Sequence, residues 1–461
     1  MISNKKYKQE ALRQLFHNKK TQPQQWSCCN MDYTDKAILG RHFDKEHEKD
    51  LLEIESKLRQ QPLESKKKKK EKGNNNYKNN DINNILTKRR AQKGASDPIE
   101  LNCDCDQSQH RVILFYEYVS IEDPVELATQ HMDICGPKGF NVTGKIRISS
   151  EGVNITIAGT KASIEGYMDW YMHSPGPLYS TNTTKSPNDF FKPSLGCRHV
   201  FHQDLSIKIV DEICPLSQPS ITLNKLQQEQ HRLHKLSPAE FHAEMEQLYQ
   251  HHRDSHNENT ILLDTRNYYE SKIGKFEGAV TPPIRKFSVF PNYINQHKDT
   301  FNGKKILTYC TGGIRCEKAT AYLRETLDNE NTQIFMLDGG IHQYLTWIED
   351  HPEIKPFWQG KNYVFDARQN MGLPSIISQC QVCHQPWDTY QKCQSPRCHL
   401  LVLHCDNCRS ANPSTYCCHE CQFNRHQNGI CLCERLRKQQ ELSEVVLPTS
   451  SSTATTTSSS S

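Results

Sequence analysis

The run Cys310-Thr311-Gly312-Gly313-Ile314-Arg315 has the make-up of a nucleophile set in an anion-binding loop. The β-branched and aromatic residues 304–309 ahead of it predict a short buried strand. Residues 317–327 behind it predict a helix, with Ala319, Tyr322 and Leu323 spaced along one face. A loop that leaves a strand and enters a helix turns several unpaired backbone N–H groups toward one point. Gly312 and Gly313 let that backbone curl without Cβ clashes. A sulfur at its centre feels the helix dipole and Arg315, both of which favour thiolate over thiol. Cys310 and Arg315 are therefore the expected catalytic pair, and Thr311, Gly312, Gly313 and Ile314 the anion-binding loop.

A second chemistry-bearing pattern lies further on. Cys380-x2-Cys383, Cys393-x4-Cys398, Cys405-x2-Cys408 and Cys418-x2-Cys421 form four pairs. A two-residue gap lets both thiolates face one tetrahedral ion, at about 2.3 Å per Zn–S bond. The pairs predict two structural zinc ions with four cysteines each; spacing leaves the pairing order open, and the interleaved arrangement, first pair with third and second with fourth, is the expected one. His399, His404, Cys417 and His419 stand as substitutes for any one ligand, and Cys431 and Cys433 belong to a further site or to none. Twenty cysteines behind a polar, basic start argue for metal sites in a reducing compartment rather than disulfides. Near the start, Cys29-x12-His42 and His47 have the second-half spacing of a two-cysteine, two-histidine finger. Cys28 is adjacent to Cys29 instead of two to four residues before it, so this finger (26–48) reads as degenerate.

The elements that must position these residues follow from composition and pattern. At 461 residues the chain has room for about two to four domains. Its hydrophobic content of 35% is low, and the shortfall sits in polar stretches. These are residues 1–107, with the Lys-rich block 66–72 and the Asn-rich run behind it, and the Ser/Thr-rich tail 437–461, both expected to be disordered around the finger. No apolar run approaches the ~18 residues of a membrane span, and residues 1–20 do not read as a signal peptide. Residues 108–215 read as β-α-β-β-α-β. In that reading Val125, Ala128, Met132 and Cys135 share one helical face and residues 205–210 close the sheet. Residues 230–362 alternate short strands and helices, which predicts a parallel sheet with the Cys310 loop at a strand's carboxyl end. Residues 375–436 form the cysteine-rich module.

Cys-x4-Arg is one residue tighter than the Cys-x5-Arg loop of cysteine phosphatases, and suits a persulfide sulfur better than a tetrahedral phosphate. Three ordered elements make the chain resemble the rhodanese family. They are Leu262-Leu263-Asp264-Thr265-Arg266-Asn267-Tyr268-Tyr269-Glu270 with Gly274-Lys275-Phe276-Glu277-Gly278-Ala279, the Cys310 loop itself, and Leu337-Asp338-Gly339-Gly340-Ile341. The longer run through Cys316-Glu317-Lys318-Ala319 is similar to the motif of bacterial rhodanese-type tRNA uridine hydroxylases. Glu151-Gly152-Val153-Asn154 and Val364-Phe365-Asp366-Ala367-Arg368 also match family stretches, and the resemblance spans residues 111–421. Eukaryotic rhodanese-like proteins with an added N-terminal zinc finger are similar too.

The resemblance implies an α/β rhodanese domain, preceded by an α+β ferredoxin-like (acylphosphatase-like) domain and followed by a zinc module. It also implies a tRNA substrate and oxygen-dependent hydroxylation of the wobble uridine. No organic cofactor motif is legible in the chain. The loop alone equally fits a sulfurtransferase that takes sulfur from thiosulfate or a persulfide. A third reading is an RNA- or protein-binding adaptor with an idle rhodanese domain. Arg198, Arg285 and Lys286 are candidates for an RNA path, and Cys316 is expected to face away from Cys310 without a catalytic role. The expected location is cytoplasmic, or nuclear through 66–72, with no membrane partner.

Overall fold

The computed structural model describes residues 103–173, 185–201, 204–230, 234–253, 259–327 and 331–445, less 397, 399, 427, 428 and 444, together with parts of 15–60. The Lys-rich block, the Asn-rich run, His399 and the Ser/Thr repeats lie outside the described residues. The chain divides into two units, Met1–Asn76 and Tyr77–Ser461. In the first, strands Lys20–Gln22, Gln25–Cys28 and Met31–Tyr33 pair antiparallel, and a helix spans Glu48–Gln60. Leu15, Trp26, Leu39, Phe43 and Leu51 bury themselves in a small core, so this part of the expected extension is folded.

The second unit opens with a mixed, mainly antiparallel sheet ordered Ser194–Leu195, His110–Tyr118, Gly152–Thr160, Thr143–Ser149, Leu205–Ile209. Helices Pro124–Cys135 and Lys161–His173 pack on it through the core of Ile113, Phe115, Ile146 and Tyr167. The Asp123 carboxylate accepts from the N–H groups of Val125 and Glu126, and Pro124 occupies the first turn, where no N–H is needed. The buried face of that helix is Leu127, Ala128, His131 and Cys135, rotated from the predicted one. His131 goes inside because both ring nitrogens are satisfied, at 2.9 Å from the Leu127 carbonyl and 3.1 Å from the Tyr167 hydroxyl. The 205–209 strand does not close the sheet beside the first strand. It joins the opposite edge, parallel to Thr143–Ser149, and Ser194–Leu195 pairs with the first strand instead.

The next domain has a four-stranded sheet ordered Thr260–Asp264, Lys305–Tyr309, Gln333–Leu337, His234–Leu236, with every pairing parallel. Phe276, Tyr309, Tyr344 and Trp358 pack edge to face in its core. Asp264 and Arg266, both fully buried, form a two-point ion pair at 3.0 and 2.7 Å, with Arg266 also donating to the Gly274 carbonyl at 2.7 Å. The helix after the loop runs Ile314–Thr326, beginning earlier than the predicted 317. Gly313 at φ 101° caps it, so the last loop residues already form its first turn.

The cysteine-rich segment folds around the pair Tyr390–Lys392 and Leu401–Leu403, and ends in a helix Leu432–Leu442. That helix corrects the expectation of disorder from 437. Arg437 pairs with Glu434 at 2.7 Å and donates to the Pro283 carbonyl at 2.7 Å, which fastens it to the parallel-sheet domain. Among the described residues, no helix is long and apolar enough to cross a membrane.

Candidate active site

Cys310 follows directly on the strand Lys305–Tyr309 and is fully buried. The Gly313 N–H donates to its sulfur at 3.1 Å. Burial pushes the thiol up. A hydrogen bond from the Cys316 thiol, the Arg315 charge and the N–H groups of Cys316 and Arg315 outweigh that and bring it down to about 5. Cys310 is therefore a thiolate at neutral pH. The loop is held shut from behind by the double glycine: the N–H groups of Ile341 and His342 bond the carbonyls of Cys310 and Thr311 at 2.9 and 3.1 Å. Gly340, at φ 68°, has no room for a Cβ, which would lie 2.5 Å from the Cys310 carbonyl oxygen and 2.8 Å from the Gly312 nitrogen.

Arg315 spends its guanidinium on Glu270, in a two-point pair at 2.6 and 2.8 Å, and on the Thr311 hydroxyl at 3.1 Å. It thus shapes the loop and acts on the sulfur through its charge. Glu270 had no assigned role in the sequence. Its signal was the capping-box spacing Asn267-x2-Glu270 at the start of the helix Tyr268–Ile273. Cys316 does not face away: it packs with Cys310 and Met336 in a small buried cluster and lies 3.6 Å from the Thr265 hydroxyl.

The strand His110–Tyr118 roofs this loop. Alternation sends Ile113 and Phe115 into its own domain's core and leaves Leu114, Tyr116 and Tyr118 on the opposite face. Tyr116 donates to Glu317 at 2.9 Å and Tyr118 to the Ile314 carbonyl at 3.3 Å. A Cβ on Gly312 would meet Leu114, and one on Gly313 would meet the Tyr116 hydroxyl, each at 2.8 Å. Lys318 bridges to Glu151 and Glu212 at 2.9 and 2.7 Å, which gives the Glu151-Gly152 motif a docking task. Lys192 is buried above the Tyr116 ring. Desolvation and neighbouring Lys185 lower its ammonium to about 8, against the pull of Asp338, Cys310 and Glu317.

Beside the loop lies a cavity of about 280 Å³ between the two sheets, reaching Thr311, Gly312, Ile314 and Arg315. Lys145, Arg147 and Arg368 line it with the aromatic rings of Phe201 and Phe365. The candidates Arg198, Arg285 and Lys286 are not among its walls. Arg285 instead donates to the Cys398 carbonyl at 3.1 Å.

The cysteine pairs converge as two groups, Cys380, Cys383, Cys405 and Cys408, and Cys393, Cys398, Cys417 and Cys421, with ligand atoms within 4.8 Å of one another. Cys417 takes the place expected for Cys418. Cys418 instead groups with Cys417, Cys421 and Cys431. The Val382 and Cys405 N–H groups point at the Cys380 sulfur at 3.5 and 3.4 Å, as thiolate ligands require. The donor sets fit a thiophilic, tetrahedral ion. Cys28, Cys29, His42 and His47 also converge. Cys29 and Asn30, at φ 51° and 59°, turn the chain so that both adjacent sulfurs lie 3.2 Å from His47 Nε2, and Asp50 holds its Nδ1 at 2.8 Å.

The sequence matches three family models: the UPF0176 acylphosphatase like domain over 110–213, the Rhodanese-like domain over 244–346 and Rhodanase C-terminal over 359–422. Fold and site thus define a rhodanese-type cysteine protein whose reactive loop is roofed by an acylphosphatase-like domain. "tRNA uridine(34) hydroxylase" of Bacillus velezensis is 32% identical over 346 residues, covering 73% of this chain and 95% of that protein. Its counterpart in Staphylococcus haemolyticus is 33% identical, covering 64% of this chain and 83% of that protein. "Rhodanese-like domain-containing protein 6" of Arabidopsis thaliana is 35% identical, covering 70% of this chain, and the chain spans about half of that protein's length (54%). The chain belongs to the same family as the tRNA uridine(34) hydroxylases.

Proposed function

We propose that this protein hydroxylates the wobble uridine of tRNA, with the Cys310 thiolate as the reacting group. The observation that carries the reading is the cavity beside the loop. About 280 Å³, with Lys145, Arg147 and Arg368 among its walls and Phe201 and Phe365 beside them, suits one unstacked nucleotide and its phosphate. The name of the bacterial relatives supports the same substrate and position. In this reading the thiolate adds to uracil C6, the π electrons shift toward O4, and C5 becomes rich enough to meet an oxidant. Loss of the C5 proton and release of the sulfur then restore the ring. Dioxygen is the oxidant: one of its atoms becomes the C5 hydroxyl oxygen and the other leaves as water, with two electrons and two protons supplied by an external thiol or other two-electron reductant. Because Cys310 is fully buried, the substrate-bound loop or its Tyr116 roof must shift from the arrangement described.

The C-terminal groups hold structural zinc in this reading, since four protein ligands leave no open position for substrate. The strand order of the first domain supports a ferredoxin-like fold with 205–209 as an added fifth strand. A sulfurtransferase reading, taking sulfur from thiosulfate or a persulfide, keeps the same Cys310, and the buried N–H cradle around the sulfur favours it. The test is nucleoside mass spectrometry on tRNA from hydroxylase-deficient cells that express the protein or its Cys310→Ala form. One added oxygen on uridine, present only with Cys310, supports hydroxylation. Unmodified tRNA from both, with Cys310-dependent thiocyanate formation from thiosulfate and cyanide, replaces it with sulfur transfer.

A further inference from the structure

We propose that Cys103, Cys105, Cys197 and His199 hold a structural zinc ion that clamps the lead-in of the acylphosphatase-like domain to the wall of the active-site cavity. The four residues come from two short motifs far apart in the chain, Cys103-Asp104-Cys105 and Cys197-Arg198-His199. Neither motif has the two-residue gap of the C-terminal pairs. The fold brings them together, with all four ligand atoms within 4.8 Å of one another. Cys103 Sγ lies 3.4 Å from Cys197 Sγ, and His199 Nδ1 lies 3.3 Å from Cys105 Sγ and 3.5 Å from Cys197 Sγ. Ligands around tetrahedral zinc, with Zn–S of about 2.3 Å and Zn–N of about 2.0–2.1 Å, sit roughly 3.4–3.8 Å apart. The observed separations match that spacing.

Alternative uses of these side chains explain less. A disulfide would need Cys103 and Cys197 at about 2.05 Å and would leave Cys105 and His199 converging on nothing. Thiol hydrogen bonds are weak and do not gather three sulfurs and an imidazole about one point. Three soft thiolates with one imidazole select zinc among common cellular divalent ions, and a set of four protein ligands marks a structural site.

The location gives the clamp its task. Cys103 and Cys105 immediately precede the strand His110–Tyr118, whose far end roofs the Cys310 loop. Cys197 and His199 follow the two-residue strand Ser194–Leu195, which pairs with Arg111 and Val112. So short an edge strand cannot hold itself in place. Yet Ser194 and Phe201, on either side of the cluster, line the cavity, and Arg368 reaches back to Ser194 and Leu195 at 3.0 and 2.7 Å. Metal binding would fix both ends of this wall at once.

The test uses the full chain. Elemental analysis of the wild type should give about one zinc per chain more than the Cys103→Ser/Cys105→Ser variant, and a Cys380→Ser/Cys383→Ser variant should lose its zinc independently. Equal zinc in the wild type and the folded 103/105 variant would overturn the proposal. Should that variant fail to fold, thiol alkylation of the wild type decides. Cys103, Cys105 and Cys197 should react at least about tenfold faster after chelation. Equal rates with and without chelator, or a Cys103–Cys197 disulfide in protein purified without oxidant, would sink it.

Discussion

The hydroxyl of Tyr116, on the strand His110–Tyr118 of the acylphosphatase-like domain, donates a 2.9 Å hydrogen bond to Glu317, in the first turn of the helix behind Cys310. Lys235 donates to the same carboxylate oxygen at 3.0 Å, and the other oxygen is buried without a partner. The two domains are therefore joined at the reactive loop itself, through a carboxylate that can spare no donor. Tyr116→Phe should lower stability by about 1–2 kcal/mol in urea unfolding, because it removes one of the two donors that hold this buried carboxylate. Turnover on tRNA should fall further than stability explains, since the roof over Gly313 loosens. Unchanged stability together with unchanged turnover would rule out this coupling.

Cys316→Ala removes the thiol whose hydrogen bond does most to lower the Cys310 pKa. The midpoint of iodoacetamide alkylation at Cys310, expected near pH 5 in the wild type, should move upward in the variant while Cys310 remains reactive. The sign extends to stability. A thiol depressed in the folded state contributes most above its unfolded value and loses that contribution as pH falls toward 5. The stability gap between wild type and Cys310→Ser should accordingly widen as pH rises from 5 toward 9. A flat gap, with an unmoved alkylation midpoint in Cys316→Ala, would show that Cys316 is only packing.

Legibility followed the range of the interactions. The Cys310 loop was plain because its strand, glycines and arginine are contiguous, and the Gly339-Gly340 turn because its φ values of 67° and 68° exclude other residues cheaply. Lys145 and Arg147 were visible in principle, since residues two apart on a strand share a face, but nothing local says which surface that face meets. The roles of Glu270, Lys192 and Tyr116 depend on docking between elements distant in sequence, which periodicity does not encode. The same limit left open which of Cys417, already a candidate substitute, and Cys418 joins Cys393, Cys398 and Cys421. Ligand choice between adjacent cysteines turns on a backbone rotation, not on spacing.

Asp264→Asn should be among the most damaging single changes outside the loop. It leaves the Arg266 guanidinium, fully buried between Tyr309 and Trp358, without its countercharge. Removing one member of such a pair costs on the order of 3–5 kcal/mol. The urea midpoint should drop accordingly, and any metal held by the C-terminal cysteine groups should persist in whatever fraction stays folded. A shift of less than about 1 kcal/mol would mean that water reaches this pair.

The cavity cations separate an RNA site from a small-molecule site. Lys145 donates to the Phe365 carbonyl at 2.6 Å from the rim of the cavity, where a phosphate could replace that carbonyl as its partner. If the cavity holds a tRNA nucleotide, Lys145→Ala should weaken tRNA binding at every sequence tested and reduce the slope of log affinity against log salt by about one. Lys225→Ala, on the surface against Glu325, should leave the slope unchanged. Thiosulfate consumption, which needs only the loop, should be indifferent to both. A slope that Lys145→Ala leaves intact would move the RNA away from this cavity, and the charge lining it would then have to be explained by a small anionic sulfur donor.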